Sequence, residues 1–556
     1  MSRSEGRWPI VWVLLVVALL RFVNLGFSDL QPWDESLYAL RAETVTKFGD
    51  WVDQSPHAVG GLYSSLHPPL YVWLTSVVYL VDGASEFSAR IVSALAGALL
   101  VIVSFFMARD LYGRRAGIAA ALLVGLQPLP FFWSRQGQFD MLLLLLMAAS
   151  CYVFILFLRS RKSSLAVAAG LLLGLGLMTK LFVALLIPMC WLAIFPLAAP
   201  PERRTIVRGA ALALFVAAAI ALPWHLVMAE RHGANVLTFF LSNASITERT
   251  FVGIEGNVKP LGWFFFINQL AIGVPVAFVF GFHRVVKAVG GDSGTPARPG
   301  RLSELVLVAW VVAFFLVFTV MKTKLAVYAL PISFPLCILA SRTLSDISGG
   351  TLRRGAYRLL LISAAVVILW ALLPELRGSL RTLGRSTAPG SDWPKVIAVA
   401  GVCAIVVVGF FHWDGIGRWV ILWAVGIGLG LSALFSAAVG SRFWYRQGGR
   451  DVAQFLDSSG ARKIAVIGSG VNPQLSFYLK GADLGWRDSV QFERLDPSQD
   501  VGKIAGRINT KLRWGWWIVL EKDEIWKGLY RGENEVIPPG FVRVYSTTMY
   551  AVYSEE

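Results

Sequence analysis

Apolar runs recur along this chain from Trp8 to about Val439, each close to the length of a bilayer-crossing helix. Such a helix takes about 20 mostly apolar residues, because every backbone amide and carbonyl must find its partner within the segment. The sequence predicts thirteen spans: Trp8–Gly26, Phe87–Ala108, Ala116–Trp133, Phe139–Leu158, Leu165–Thr179, Leu181–Ala199, Gly209–Met228, Trp263–Phe282, Leu305–Val320, Leu325–Ala340, Leu359–Leu373, Val396–Phe411 and Trp419–Val439. Charged residues make up 15% of the chain, well below the soluble norm of about 25%, and the deficit ends after Val439. The expected class is therefore an α-helical polytopic membrane protein, residues 1–440, followed by a small α/β domain, 441–556. In that domain Lys463–Ile467, Gly515–Leu520 and Phe541–Val552 read as strands and Val501–Leu512 as helix. Gly468-Ser469-Gly470 follows a strand but lacks the full GxGxxG pattern, so it reads as a tight turn.

The formal charge of +16 sits in short clusters between apolar runs, which points to membrane lipids and not to nucleic acid. Arg109/Arg114/Arg115, Arg159/Arg161/Lys162, Arg203/Arg204/Arg208, Arg284/Lys287/Arg298/Arg301 and Arg353/Arg354/Arg358 mark alternate loops as cytoplasmic. That places the N-terminus in the cytoplasm. Loops 27–86 and 229–262 and the C-terminal domain then face outward, although Arg377, Arg381, Arg385 and Lys395 fall on the predicted outer side. The four cysteines lie inside apolar runs and read as buried apolar residues. The first run has no small-residue cleavage site after it and reads as a retained span. Leu70–Leu80 is too short to cross and reads as an interfacial helix.

Ionisable groups beside spans are costly and tend to mark function. Here they gather in the predicted outer loops. Asp34 and Glu35 follow the first span, with Tyr38 one turn on from Asp34. Taken alone, Asp34 could be a helix cap and Glu35 a dipole partner. His67-Pro68-Pro69 opens the interfacial helix, where the histidine is either a surface residue or a proton carrier, phosphate contact or metal ligand. Asp140 and Lys180 stand at the ends of predicted spans, with helix capping as their plain alternative. Gly170, Gly174 and Gly176 read as close helix packing. The second large loop carries Glu248, Arg249 and Lys259. Lys322 and Lys324 in a short outer loop oppose the positive-inside bias, which a local anionic ligand would explain. A lipid phosphate lies at that depth; cations would bind it and a carboxylate could deprotonate an acceptor hydroxyl.

The ordered set Asp34-Glu35, Tyr38-Ala39, Gly49-Asp50-Trp51, His67-Pro68-Pro69-Leu70, Phe139-Asp140, Met178-Thr179-Lys180, Pro223-Trp224, Glu248-Arg249, Lys259-Pro260, Lys324-Leu325, Tyr328 and Pro331 resembles the GT-C membrane glycosyltransferases. Within them it is similar to the branch of protein O-mannosyltransferases and aminoarabinose (lipid A) transferases, although His67 stands where the latter have lysine. The resemblance implies a GT-C fold and transfer from a polyprenyl-phosphate sugar donor to a glycolipid, protein or glycan acceptor outside the cytoplasm. It assigns catalytic roles to Asp34 and Asp140. It places Arg249, Lys324 and Tyr328 at the donor phosphate, with Glu35, Tyr38, His67, Lys180 and Lys322 in support. No cofactor follows directly; a divalent ion on Glu35 and His67 is the candidate metal. The rival classes are a transporter or lipid flippase, an assembly or receptor protein, and a lipid-linked oligosaccharide polymerase. The first would place charges near the bilayer midplane in repeated halves, and no such repeat is evident in the sequence.

Overall fold

A computed structural model describes residues 8–236, 250, 264–290, 299–350, scattered positions from 355 to 367, 448–468 and most of 472–555. In chain order the helices used below are α1 (Trp8–Leu19), α2 (Asp34–Phe48), α3 (Leu62–Ser65), α4 (Leu70–Asp82), α5 (Glu86–Tyr112), α6 (Arg114–Leu126), α7 (Pro128–Trp133), α8 (Asp140–Ser160), α9 (Ser163–Leu177), α10 (Leu181–Ala184), α11 (Leu186–Ala193), α12 (Pro200–His232), α13 (Phe265–Gly273), α14 (Pro275–Val289), α15 (Pro299–Val320), α16 (Leu330–Ser348), α17 (Gly449–Ser458) and α18 (Pro473–Tyr478). Five strands follow: β1 (Lys463–Ile467), β2 (Gln491–Leu495), β3 (Trp517–Glu521), β4 (Phe541–Ser546) and β5 (Tyr550–Glu555). The chain divides into a helical unit, Met1–Val23 with Ser93–Ala438, and a loop–sheet unit, Asn24–Val92 with Val439–Glu556.

In the helical unit α5, α8, α12, α15 and Ala326–Ser348 are each long and apolar enough to cross a bilayer, and α13 with α14 makes a sixth candidate bent by 118°. Shorter apolar helices cover Ile10–Phe22, Ser163–Leu177 and Leu181–Leu197. Of the thirteen predicted spans, Val396–Phe411, Trp419–Val439 and most of Leu359–Leu373 lie outside the described residues. Two predicted spans are broken, each at a residue preceding proline. Gln127 has φ −70° and ψ 145° before Pro128, and Val274 has φ −143° and ψ 55° before Pro275. Proline's ring pushes the preceding residue out of the α region.

The broken ends are satisfied from within. Gln127 is fully buried; its amide donates to Leu123 O (3.4 Å) and its carbonyl accepts from Ala277 N (3.4 Å), so one side chain ties both interruptions. Arg21 donates to Val17 O (2.8 Å) and to Val124 O and Gly125 O (3.3 Å each), capping the end of α6. In an apolar medium such carbonyls would otherwise be stranded. Close helix packing rests on small residues: a Cβ at Gly170 would meet Ala213 O at 2.5 Å, and one at Gly174 would meet Ile220 Cβ at 2.8 Å. These two glycines therefore let α9 and α12 touch backbone to backbone, as expected. Gly176 is looser, with Ala184 Cβ 3.5 Å from its would-be Cβ.

In the loop–sheet unit the strands run in the order β2-β1-β3-β5-β4, with β1 parallel to β2 and β3, and β5 antiparallel to β3 and β4. Alternation along the strands fills both faces. Ile464, Val466, Val519 and Val552 pack with Val452, Leu456 and Leu475 of α17 and α18. Ala465, Ile467, Ile518 and Leu520 pack with Ile504 and Ile508 on the other face. The predicted strand Phe541–Val552 is instead the hairpin β4–β5. A Cβ at Gly468 would meet Glu521 Oε2 at 2.0 Å, so the residue closes against a side chain; Ser469 and Gly470 lie outside the described residues. The segment predicted from Leu70 to Leu80 is helical, over Leu70–Asp82, and carries Ser76, whose hydroxyl donates to Ala42 O (3.2 Å).

Candidate active site

Asp34 is the first residue of α2 and is exposed. The residue before it, Trp33, is held at φ 69° and ψ −113°, a conformation costly for a bulky side chain. What pins this turn is the next residue. Glu35 is 1% exposed and forms a bidentate pair with Arg90, Nε to Oε1 at 2.7 Å and Nη2 to Oε2 at 2.9 Å. The same guanidinium donates to Leu25 O, Ser28 O and Asp29 O at 2.8–2.9 Å, so all five of its N–H groups are spent. Glu35 Oε2 also accepts from Gln31 N (2.6 Å). The structure thus gives Glu35 a holding role. Both Glu35 carboxylate oxygens are committed to Arg90, and no group of three metal-binding side chains occurs among the described residues.

Tyr38 is buried one turn along α2, edge-on to Tyr71 at 5.9 Å. Beyond it Arg41, fully buried, donates to Gln54 Oε1 (2.8 Å) and to His67 O (3.0 Å), with its guanidinium 5.6 Å from the Tyr38 ring. Burial pulls the Arg41 pKa down to about 10. Arg41 thereby fixes the backbone of His67, which is itself half-buried. The Gly49-Asp50-Trp51 motif closes α2: Gly49 takes the left-handed conformation at φ 76°, and Asp50 Oδ2 lies 2.8 Å from His57 Nδ1.

A second set assembles inside the helical unit. Asp140 is the first residue of α8, and Lys180 Nζ stands 3.8 Å from its Oδ1. The same ammonium lies 4.5 Å from the Phe139 ring centroid and 5.7 Å from that of Tyr328. Tyr328 is buried and stacked on Phe318 at 4.9 Å. Three of the predicted residues, Asp140, Lys180 and Tyr328, are therefore neighbours. Lys324 points elsewhere: its Nζ donates to Phe318 O (3.0 Å), Thr319 O (2.6 Å) and Met321 O, capping the end of α15. Burial lowers its pKa. Lys322 is exposed, and its amide donates to Thr250 O (3.1 Å), fixing the residue that follows Arg249. Arg249, Glu248 and Lys259 lie outside the described residues.

Sequence reasoning missed Arg90, Arg41 and the pair Asp29–Arg450. Arg90 stands near the predicted start of the second span, where an arginine reads as an interfacial anchor. Its partner is 55 residues away, and nothing local announces it.

Residues 66–226 match the family described as dolichyl-phosphate-mannose-protein mannosyltransferase. Over 375 residues the chain is 28% identical to undecaprenyl phosphate-alpha-4-amino-4-deoxy-L-arabinose arabinosyl transferase 1 of Pseudomonas fluorescens, covering 66% of this chain and 64% of that protein. It is 26% identical over 460 residues to the corresponding transferase of Serratia proteamaculans, covering 79% and 77%. The match thus spans about two thirds of the first relative's length and about three quarters of the second's. In structure, ArnT from Cupriavidus metallidurans bound to undecaprenyl phosphate superposes with a TM-score of 0.66 at 21% identity, over 99% of this chain and 98% of that one. The two share a fold.

Proposed function

We infer that the chain is a GT-C membrane glycosyltransferase of the branch that holds aminoarabinose transferases and protein O-mannosyltransferases. On that premise we propose that it transfers a sugar from a polyprenyl-phosphate donor to an acceptor at the outer face of the cytoplasmic membrane. The observation that carries this reading is an exposed Asp34 on a turn locked by the buried Glu35–Arg90 pair. A carboxylate held in place and open to solvent suits a general base or an acceptor-orienting group. The acceptor oxygen attacks the anomeric carbon as the bond to the lipid phosphate breaks. The proton passes to Asp34 and the bonding electrons leave with the phosphate, giving inversion. Lys180, beside Asp140 and Tyr328, together with Arg249, stabilises the departing phosphate.

The relatives' names make an undecaprenyl-phosphate-linked aminopentose the first donor to test. The acceptor is a lipid A-like glycolipid, protein or polysaccharide, and the loop–sheet unit faces it outside the cytoplasm. The test is incubation of the purified protein with synthetic polyprenyl-phosphate sugars and envelope extract, followed by mass spectrometry of the products. A single added sugar on a defined acceptor, lost in Asp34→Asn, supports the assignment. Long products point to a polymerase; normal transfer by Asp34→Asn removes the base.

A further inference from the structure

The C-terminal domain carries none of the residues in the mechanism above, yet it is bonded to the turn that presents Asp34. Asp29 Oδ2 accepts from Gly448 N (2.9 Å) and Arg450 N (3.3 Å) at the start of α17, and its Oδ1 lies 3.4 Å from Arg450 Nε. Arg450 Nη2 reaches Glu86 Oε1 at 2.5 Å. One residue on, the Leu30 amide donates to the Tyr478 oxygen (2.8 Å) and Leu30 O accepts from Gln474 Nε2 (2.7 Å), both on α18. Gln474 is backed by the sheet: Tyr550 OH, on β5, donates to its Oε1 (3.1 Å), and Asn472 Nδ2 donates to Tyr550 OH (2.9 Å) and Glu521 Oε1 (3.0 Å).

The network continues to the catalytic turn. Gln31 N donates to Glu35 Oε2, Ser36 Oγ donates to Gln31 O (2.6 Å), and Arg90 binds Asp29 O on its other side. Residues 29–31 are therefore gripped by α17 and α18 on one side and by Arg90 and Glu35 on the other. Burial opposes the charge on Arg450, but Glu86, Tyr478 and Asp29 outweigh it and raise its pKa, so the clamp stays charged across the physiological range.

We propose that Arg450, Gln474 and Tyr478 are positioning residues for Asp34, and that the C-terminal sheet domain serves as the rigid backing of the catalytic turn. This rests on the reading of Asp34 given above. None of the three touches the reacting atoms; they act by fixing where the Asp34 carboxylate sits.

Hydrogen exchange on the full-length protein in detergent reads the clamp directly, since the Leu30 and Gln31 amides are its donors. Tyr478→Phe deletes one acceptor oxygen, and Arg450→Ala removes the cation. Each is expected to speed exchange across residues 29–38 by about tenfold, with α8 unchanged as the folding control. Each should lower kcat for transfer from an undecaprenyl-phosphate sugar by about tenfold with donor KM within about twofold, because misplacement of a catalytic group falls on kcat. Arg450→Lys should recover a good part of both losses. Unchanged exchange at 29–38 in both variants overturns the proposal, as does faster exchange with unaltered kcat where Asp34→Asn is inactive. If Asp34→Asn transfers normally, the catalytic reading of Asp34 is what fails, and exchange alone decides whether the domain holds the turn.

Discussion

Replacing Arg90 with methionine would leave a carboxylate and three carbonyls, those of Leu25, Ser28 and Asp29, facing an apolar side chain. Both members of the Glu35–Arg90 pair are 1% exposed, so water cannot take over the lost bonds. Breaking a buried pair from one side costs about 3–5 kcal/mol, most of it the penalty of stranding the other charge. Glu35→Gln should cost a similar amount, because Arg90 then keeps its charge with only an amide opposite. If the two losses were independent, the double variant would lose about 6–10 kcal/mol. Removing both charges together strands neither, so the double variant is expected to fall short of that sum by about 2–3 kcal/mol. The cycle is measured by reversible denaturant unfolding in mixed micelles. Additivity within about 0.5 kcal/mol would refute the claim that the pair holds the turn as a unit.

Lys180 and Lys324 separate by what they touch. Lys180→Ala should raise donor KM by about 10–100-fold through loss of a charge-assisted contact, measured by initial rates. Lys324→Met should leave donor KM unchanged and cost about 1 kcal/mol of stability at the end of α15. Gly170→Ala, whose Cβ would fall 2.5 Å from a backbone oxygen, should destabilise by about 1–3 kcal/mol, while Gly176→Ala, whose Cβ would sit at an ordinary contact distance of 3.5 Å from Ala184 Cβ, should be near neutral in a thermal melt. Glu43 is buried, and burial raises its pKa above the ordinary 4.5 despite Lys47 at 3.3 Å. Between the unfolded and folded pKa the native state binds more protons, so stability falls as pH rises through that window. Glu43→Gln should therefore raise the Tm at pH 7, and the gain should shrink as pH falls toward 4.5.

Much of the architecture was readable because it depends on local pattern. Apolar length marked α5, α8, α12 and α15, a run of β-forming residues marked β1, and the acids at Asp34 and Asp140 stand where α2 and α8 begin. Helix spacing linked Asp34 with Tyr38, but only packing decides that the first is open and the second buried against Tyr71. The two broken spans were signalled by Pro128 and Pro275, yet composition averaged over a window ignores the one residue that bends. Lys180 was read at the end of one predicted span and Tyr328 within another; the fold brings the ammonium to 5.7 Å from the ring, and no spacing rule reaches across 148 positions. The opposed charges of Lys324 read as ligand binding, whereas three carbonyls at a helix end account for that ammonium.

Asp29 bonds to Gly448 across 419 residues of chain. A ribosome adding roughly 5–20 residues per second needs on the order of 20–80 s to cover that interval. The segment that presents Asp34 is thus made well before the residues that complete its support. Until residues 448–478 emerge, a nascent copy holds its acid on a turn supported from the Arg90 side alone, so full bracing of Asp34 arrives late in synthesis.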